Sequence, residues 1–212
     1  MTFTLYHCRD ARSLRTLWAL EELEVPYTLE GMPFPPRYEH KSYLEVNPLG
    51  TVPLLTDGKH VHMTESAATC EYLAQRFGPT PLAVTPEEDA YPAYLTWLHR
   101  SDATLTFPLA IVLRYVALEP KERQLPQAAE DYTVWFLARA ASIATALEKS
   151  DYLCADRFTM ADLVVIYAIY FAMMLGMKDK FPASTLAWYE RCTDRPAFKR
   201  AQEAQEHIPP IL

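Results

Sequence analysis

Up to residue 78 the chain alternates between two hydrophobic periods; beyond residue 90 only one remains. The change implies an α/β region followed by an all-α one, because a strand repeat and a helix repeat cannot stand in for each other. In the first region "FTLYH" (Phe3–His7) has the composition of a strand, and "SLRTLWALEEL" (Ser13–Leu23) sets Leu14, Leu17 and Trp18 on one helical face. "PYTLEG" reads as a second strand closed by Gly31. The proline-rich "MPFPPRYEHKSYLEVNPLG" reads as a loop with at most a short helix. "VPLLTDGKHVHM" predicts two short strands joined through Asp57-Gly58, and "SAATCEYLAQRFG" a helix stopped by Gly78. A βαβ unit followed by a hairpin and a helix predicts a mixed, four-stranded sheet.

"GPTPLAVTPEED" is the natural linker, since beyond it only helical patterns occur: about Ala90–Val116, Gln127–Leu147, Thr159–Leu175, Thr185–Thr193 and Ala197–Gln205. The expected organisation is an α/β domain over 1–78, a linker over 79–89 and an all-helical domain over 90–212.

A formal charge of −7, with no lysine and arginine cluster, argues against a nucleic-acid partner, which needs a basic stripe. Cys8, Cys70, Cys154 and Cys192 are scattered, without a CxxC pair or metal-ligand spacing, which suits free thiols in a reducing compartment. "MTFTLYHCRD" lacks the layout of a signal peptide. The most apolar segment, Leu163–Leu175, falls short of the ~20 residues that span a bilayer and reads as a buried helix. A cytoplasmic protein acting on small molecules, with no membrane partner, is the class these features leave.

Several residues ask for a chemical reading. Pro53 heads an apolar run that reads as a strand, although proline cannot donate to a ladder, so the backbone of Val52 is free to serve something other than the sheet. "DRFTMADLVV" is a capping box: the Thr159 hydroxyl is expected to accept from the backbone amide of Asp162 while the Asp162 carboxylate reaches back to the amide of Thr159, a device for folding rather than chemistry. His60 and His62 alternate on one predicted strand, but two imidazoles without a third ligand do not make a metal site, and none is expected.

Taken in order, "LYHCRDARSLRTLWALEEL", "NPLGTVPLL", "ESAATCEYL" and "DRFTMADLV" make the chain resemble the cytosolic glutathione S-transferases of bacterial type over essentially its whole length. The resemblance implies a thioredoxin-like N-terminal domain, a helical C-terminal domain and a homodimer. It also implies conjugation of the glutathione thiolate to small apolar electrophiles, with glutathione as co-substrate. Carried over, Val52 and a cis Pro53 form the strand-like edge that pairs with the cysteinyl part of glutathione. Glu65 takes the γ-glutamyl ammonium, while Ser66 and the first amides of the following helix take its carboxylate. His40 and Lys41 lie in the loop where several subfamilies keep basic residues for the glycine carboxylate. The long helix through His99, Arg100 and Asp102 would line the electrophile site and the dimer contact, and Tyr115, Phe171 and Met174 an apolar pocket.

The thiol-activating residue is open at this level. Tyr6 aligns with the tyrosine of the tyrosine-type subfamilies, and Ser13 sits where the first helix should begin and its dipole would assist. The cysteine of the cysteine-type subfamily falls at Arg12, the serine-type hydroxyl falls on or near Asp10, and Cys8 lies slightly upstream. A thiol at Cys8 keeps a glutathione-dependent disulfide or peroxide reductase open beside conjugation. Because fold alone does not fix function, a non-enzymatic glutathione-binding regulator of the same fold stands as a second alternative.

Overall fold

A computed structural model describes residues 2–212, in two compact units. The first contains the residues up to Ala83 together with Thr193–Ile211; the second is Val84–Cys192 with Leu212.

In the first unit β1 (Phe3–His7) leads to α1 (Ser13–Glu22), β2 (Tyr27–Gly31), the short helices α2 (Pro36–Glu39) and α3 (Tyr43–Val46), β3 (Leu54–Thr56), β4 (His62–Met63) and α4 (Ser66–Arg76). The sheet order is β2-β1-β3-β4. β1 runs parallel to β2, from Phe3↔Tyr27 to His7↔Gly31; β3 is antiparallel to β1 (Tyr6↔Leu54), and β4 is antiparallel to β3 (Leu55↔Met63). This is the expected mixed four-stranded sheet. Its register has one consequence for function: the ends of β1, β2 and β4 and the start of β3 all lie at the same end of the sheet. In α/β sheets that is the end where ligands bind.

Two local expectations change. The hairpin loop is five residues wide because Asp57 Oδ1 accepts from the backbone amides of Lys59, His60 and Val61 at 2.8–2.9 Å. Those amides leave the ladder, so His60 sits in the turn and shares no strand face with His62. The bonds also hold the Asp57 carboxyl down at about 2. The second change concerns α1, which buries not one stripe but every residue from Ser13 to Leu20. α4 packs on it, and so does α10 (Pro196–Gln205). The Trp18 and Phe198 rings meet edge-on at 4.8 Å, while Arg195 grips Glu22 through two bonds of 2.6 and 2.8 Å. Residues 193–211, read from sequence with the helical region, therefore group with the sheet.

The second unit holds α5 (Tyr91–Arg100), α6 (Phe107–Leu113), α7 (Pro126–Ala146), α8 (Met160–Met174) and most of α9 (Ala183–Thr193). α5 continues into α6 through a π turn, Ser101–Thr106. Pro108 accounts for it, since a proline in a helix lacks the N–H and crowds the carbonyl four residues back. The chain widens there, so that the Phe107 amide bonds to Asp102 O, five residues back. The run Tyr91–Leu118 is long and apolar enough to cross a bilayer, but Tyr94, Leu105, Leu109 and Leu113 on it belong to the core. α8 is apolar all round and buried from Met160 to Ile169. Its capping box forms as expected, with Asp162 Oδ2 accepting from Thr159 N at 3.0 Å and Thr159 Oγ1 from Ala161 N at 3.2 Å.

Candidate functional site

Three segments meet the strand-exit end of the sheet. The first precedes β3. The Val52–Pro53 peptide is cis, Pro53 is buried, and the ladder begins only at Leu54. Among the described residues no hydrogen bond engages the Val52 backbone, so its N–H and C=O keep their capacity to pair with an added extended chain. The approach to Val52 is held firmly. The Thr51 carbonyl accepts from Tyr43 Oη at 2.7 Å and from Asn47 Nδ2 at 2.9 Å, and Asn47 Oδ1 accepts from the Leu49 amide. Burial pushes the Tyr43 phenol up to about 12, which keeps it a donor. Gly50 closes the turn at φ +59°, where a Cβ would lie 2.7 Å from Arg37 Cβ. Sequence reading gave Tyr43 and Asn47 no part; the only signal for them was "NPLG" itself.

The second segment is the start of α4. Glu65 occupies the cap position at φ +58° and is exposed, with no side chain capping the helix; Ser66 is the first helical residue, not the cap. Ser66 is 2% exposed, and its Oγ accepts from Arg15 Nη1 at 2.9 Å. Arg15, on α1, is 0% exposed. Thr69 Oγ1 donates to Ser66 O at 2.8 Å, so its contact of 2.7 Å with Thr16 Oγ1 has the Thr16 hydroxyl as donor. Arg15 is the residue that sequence analysis missed at this site.

The third segment is the loop from β1 to α1. Tyr6 is half-buried, its ring 5.4 Å from that of Tyr43. Cys8 is fully enclosed; its thiol donates to Pro33 O at 3.4 Å, and burial pushes it up to about 12. Ser13 is also enclosed, with its Oγ at 3.4 Å from both N and O of Cys8, and the helix cap position falls on Arg12. Asp10 takes φ +59° and is fixed by Gln205 of α10: the amide side chain accepts from Asp10 N at 3.0 Å and donates to Asp10 Oδ1 at 2.9 Å. The same Gln205 Oε1 lies 3.0 Å from His7 Nε2, and burial lowers the His7 pKa to about 4. The neutral ring therefore donates from Nε2.

His40 and Lys41 are exposed between α2 and α3, in the excursion that leaves and returns to this end of the sheet. Among the described residues no group of three or more His, Cys, Asp or Glu could hold a metal. At one end of the sheet the fold thus gathers a free backbone edge, an exposed carboxylate beside a helix start backed by a buried guanidinium, and a half-buried phenol. Such a set can hold a zwitterionic, peptide-like ligand.

Comparison with known proteins bears on the family. The family described as "Glutathione S-transferase, N-terminal domain" matches residues 11–76, and that described as "Glutathione S-transferase, C-terminal domain" matches residues 110–196. Glutathione S-transferase GstB of Escherichia coli (strain K12) is 30% identical over 191 residues, covering 88% of this chain and 90% of that protein. Glutathione S-transferase 3 of Schizosaccharomyces pombe is 26% identical over 215 residues, covering 95% and 87%. Among solved structures, the glutathione transferase URE2P6 of Phanerochaete chrysosporium in complex with oxidized glutathione superposes with a TM-score of 0.83 at 25% identity, covering 96% of each chain.

Proposed function

Because the chain belongs to the glutathione S-transferase family, we propose that it binds glutathione at the strand-exit end of the sheet and transfers its thiolate to small apolar electrophiles. The observation that carries the reading is the unengaged Val52 backbone ahead of β3. An extended cysteinyl residue can add there as a short antiparallel partner. Glu65 then meets the γ-glutamyl ammonium through a charge-assisted bond. Ser66 and the free first-turn amides of α4 meet the neighbouring carboxylate, and His40 and Lys41 are the cations available to the glycine carboxylate.

The chemistry needs a thiolate. Free thiols ionise near pH 8.5, so a donor at the sulfur raises the reactive fraction at neutral pH. Two hydroxyls are candidates, and the enclosure of Ser13 against the Cys8 backbone favours the half-buried Tyr6. The phenol donates to the sulfur while the thiol proton passes to solvent water. The sulfur then attacks the electrophilic carbon, forming the C–S bond as the leaving group departs with the bonding electrons. A reductase route through a mixed disulfide at Cys8 loses ground, since thiol exchange there requires an accessible thiolate and Cys8 is enclosed, with burial holding its thiol protonated. We place the protein in the cytoplasm as a homodimer, in line with its four buried cysteines, none of them in a disulfide, and the family resemblance.

The test is titration calorimetry with glutathione, paired with turnover of 1-chloro-2,4-dinitrobenzene. Saturable binding that weakens in Glu65→Ala, with aryl transfer in the wild type, is the expected result. Binding without turnover of any electrophile would leave a glutathione-binding protein, and no binding would remove the reading altogether.

A further inference from the structure

We propose that Arg15 is a positioning residue for the α-carboxylate of the γ-glutamyl group, acting through the hydroxyl of Ser66; the proposal rests on the glutathione reading above. Arg15 leaves α1 from inside the protein, and its Nη1 donates to Ser66 Oγ at 2.9 Å. A hydroxyl has one proton and two lone pairs, whereas a guanidinium has donors only. With one lone pair of Ser66 taken by Arg15, the hydroxyl proton is left for an acceptor that arrives at the helix start. The hydroxyls of Thr16, next to Arg15, and Thr69, one turn beyond Ser66, bond at 2.7 Å, and Thr69 ties back to the Ser66 carbonyl, so α1 and α4 are fixed beside this contact.

Charge strengthens the argument. Arg15 is 0% exposed, so water and salt do not screen it as they do a surface arginine. It brings a full positive charge under a helix N-terminus, itself favourable to anions. Immediately beside it stands the exposed Glu65 carboxylate. An α-amino acid end carries its ammonium and carboxylate on one carbon, and the Glu65 carboxylate next to the Arg15-backed hydroxyl of Ser66 offers a complement to each. Burying a guanidinium is costly, and a leucine would suit a helix flanked by Leu14 and Leu17. The bland reading is that Arg15 only staples α1 to α4.

The two readings separate on ligand preference. Dissociation constants are measured for glutathione and for 4-aminobutanoyl-Cys-Gly, which lacks only the α-carboxylate, against wild type, Arg15→Met, Arg15→Lys, Ser66→Ala and the Arg15→Met/Ser66→Ala double variant. The wild type should prefer glutathione by roughly tenfold or more, the scale of one charge-assisted bond. Arg15→Met and Ser66→Ala should each lose most of that preference while binding the analogue as before, and the double variant should lose no more than either. A staple would weaken both ligands alike, and that result overturns the proposal. Arg15→Lys keeps the charge and a donor, so it should retain most of the preference. Should Arg15→Met fail to fold, Arg15→Gln, which keeps a donor without the charge, decides: it must lose preference for glutathione while binding the analogue as before, and full retention contradicts the proposal. A wild type that binds neither ligand defeats the glutathione reading; one that binds both equally defeats only the role of Arg15.

Discussion

His7 ends β1 with its ring inside the protein, one nitrogen bonded to Gln205 and the pKa pushed by burial from an ordinary 6.5 to about 4. The folded state therefore binds this proton less readily than the unfolded chain. A group of this sign adds stability above pH 6.5, and the contribution is lost as pH falls through 6.5 towards about 4. Asp162 has the opposite sign: burial raises it from 3.8 to about 6, so its contribution is full in acid and declines as pH rises across that range. The two oppose each other, and a variant separates them. His7→Gln should lose less stability than the wild type between pH 7 and pH 4.5, read from urea midpoints; equal losses would mean that His7 is not held neutral. Other single residues show why a sequence yields only part of a site. Glu65 and Ser66 were legible because they are adjacent and open a helix. Arg15 was not, because its partner lies 51 positions away and periodicity counts apolar residues, not the one cation among them. Enclosure was equally invisible, and it is what sets Cys8 and Ser13 apart from Tyr6.

Among the elements, α8 has the firmest start. Asp162 accepts from Thr159 N, Leu153 N and Trp188 Nε1 at 2.9–3.0 Å and from the Thr159 hydroxyl at 3.3 Å. Removing the carboxylate strands three buried N–H donors, so Asp162→Ala should cost about 3–5 kcal/mol, well beyond the ~1 kcal/mol of an ordinary cap. Equilibrium denaturation measures it, and a loss near that of a surface cap would mean the donors find water. Half of this was readable: the box is a local pattern of three residues' span, whereas Trp188 comes from α9, 26 positions on. The long helix beginning at Tyr91 was read as continuous, and it is, but its π turn was missed although Pro108 signals it. The hairpin loop failed for a similar reason, since the pattern "TDG" suggests a tight turn while the reach of the Asp57 side chain decides a wider one.

At the scale of the whole chain, the sequence order βαβ-ββα was enough to predict the sheet and its mixed pairing, because adjacency in sequence largely fixes adjacency in such a small sheet. It did not reveal that α10 returns to α1, since an amphipathic helix shows which face it buries and not what it is buried against. That return matters for the site: Gln205 fixes Asp10 and His7 at the exit of β1. The first unit is thus a sheet end shaped by contacts from both ends of the chain, and the central claim is that it binds glutathione and makes its thiol ionise more readily. The direct measurement is the thiolate absorbance of bound glutathione in the ultraviolet as a function of pH, in the wild type, Tyr6→Phe and Ser13→Ala. The account predicts a bound thiol ionising well below its free value near 8.5, with the shift lost in Tyr6→Phe and kept in Ser13→Ala. Glutathione that binds and still ionises at its free value would contradict it.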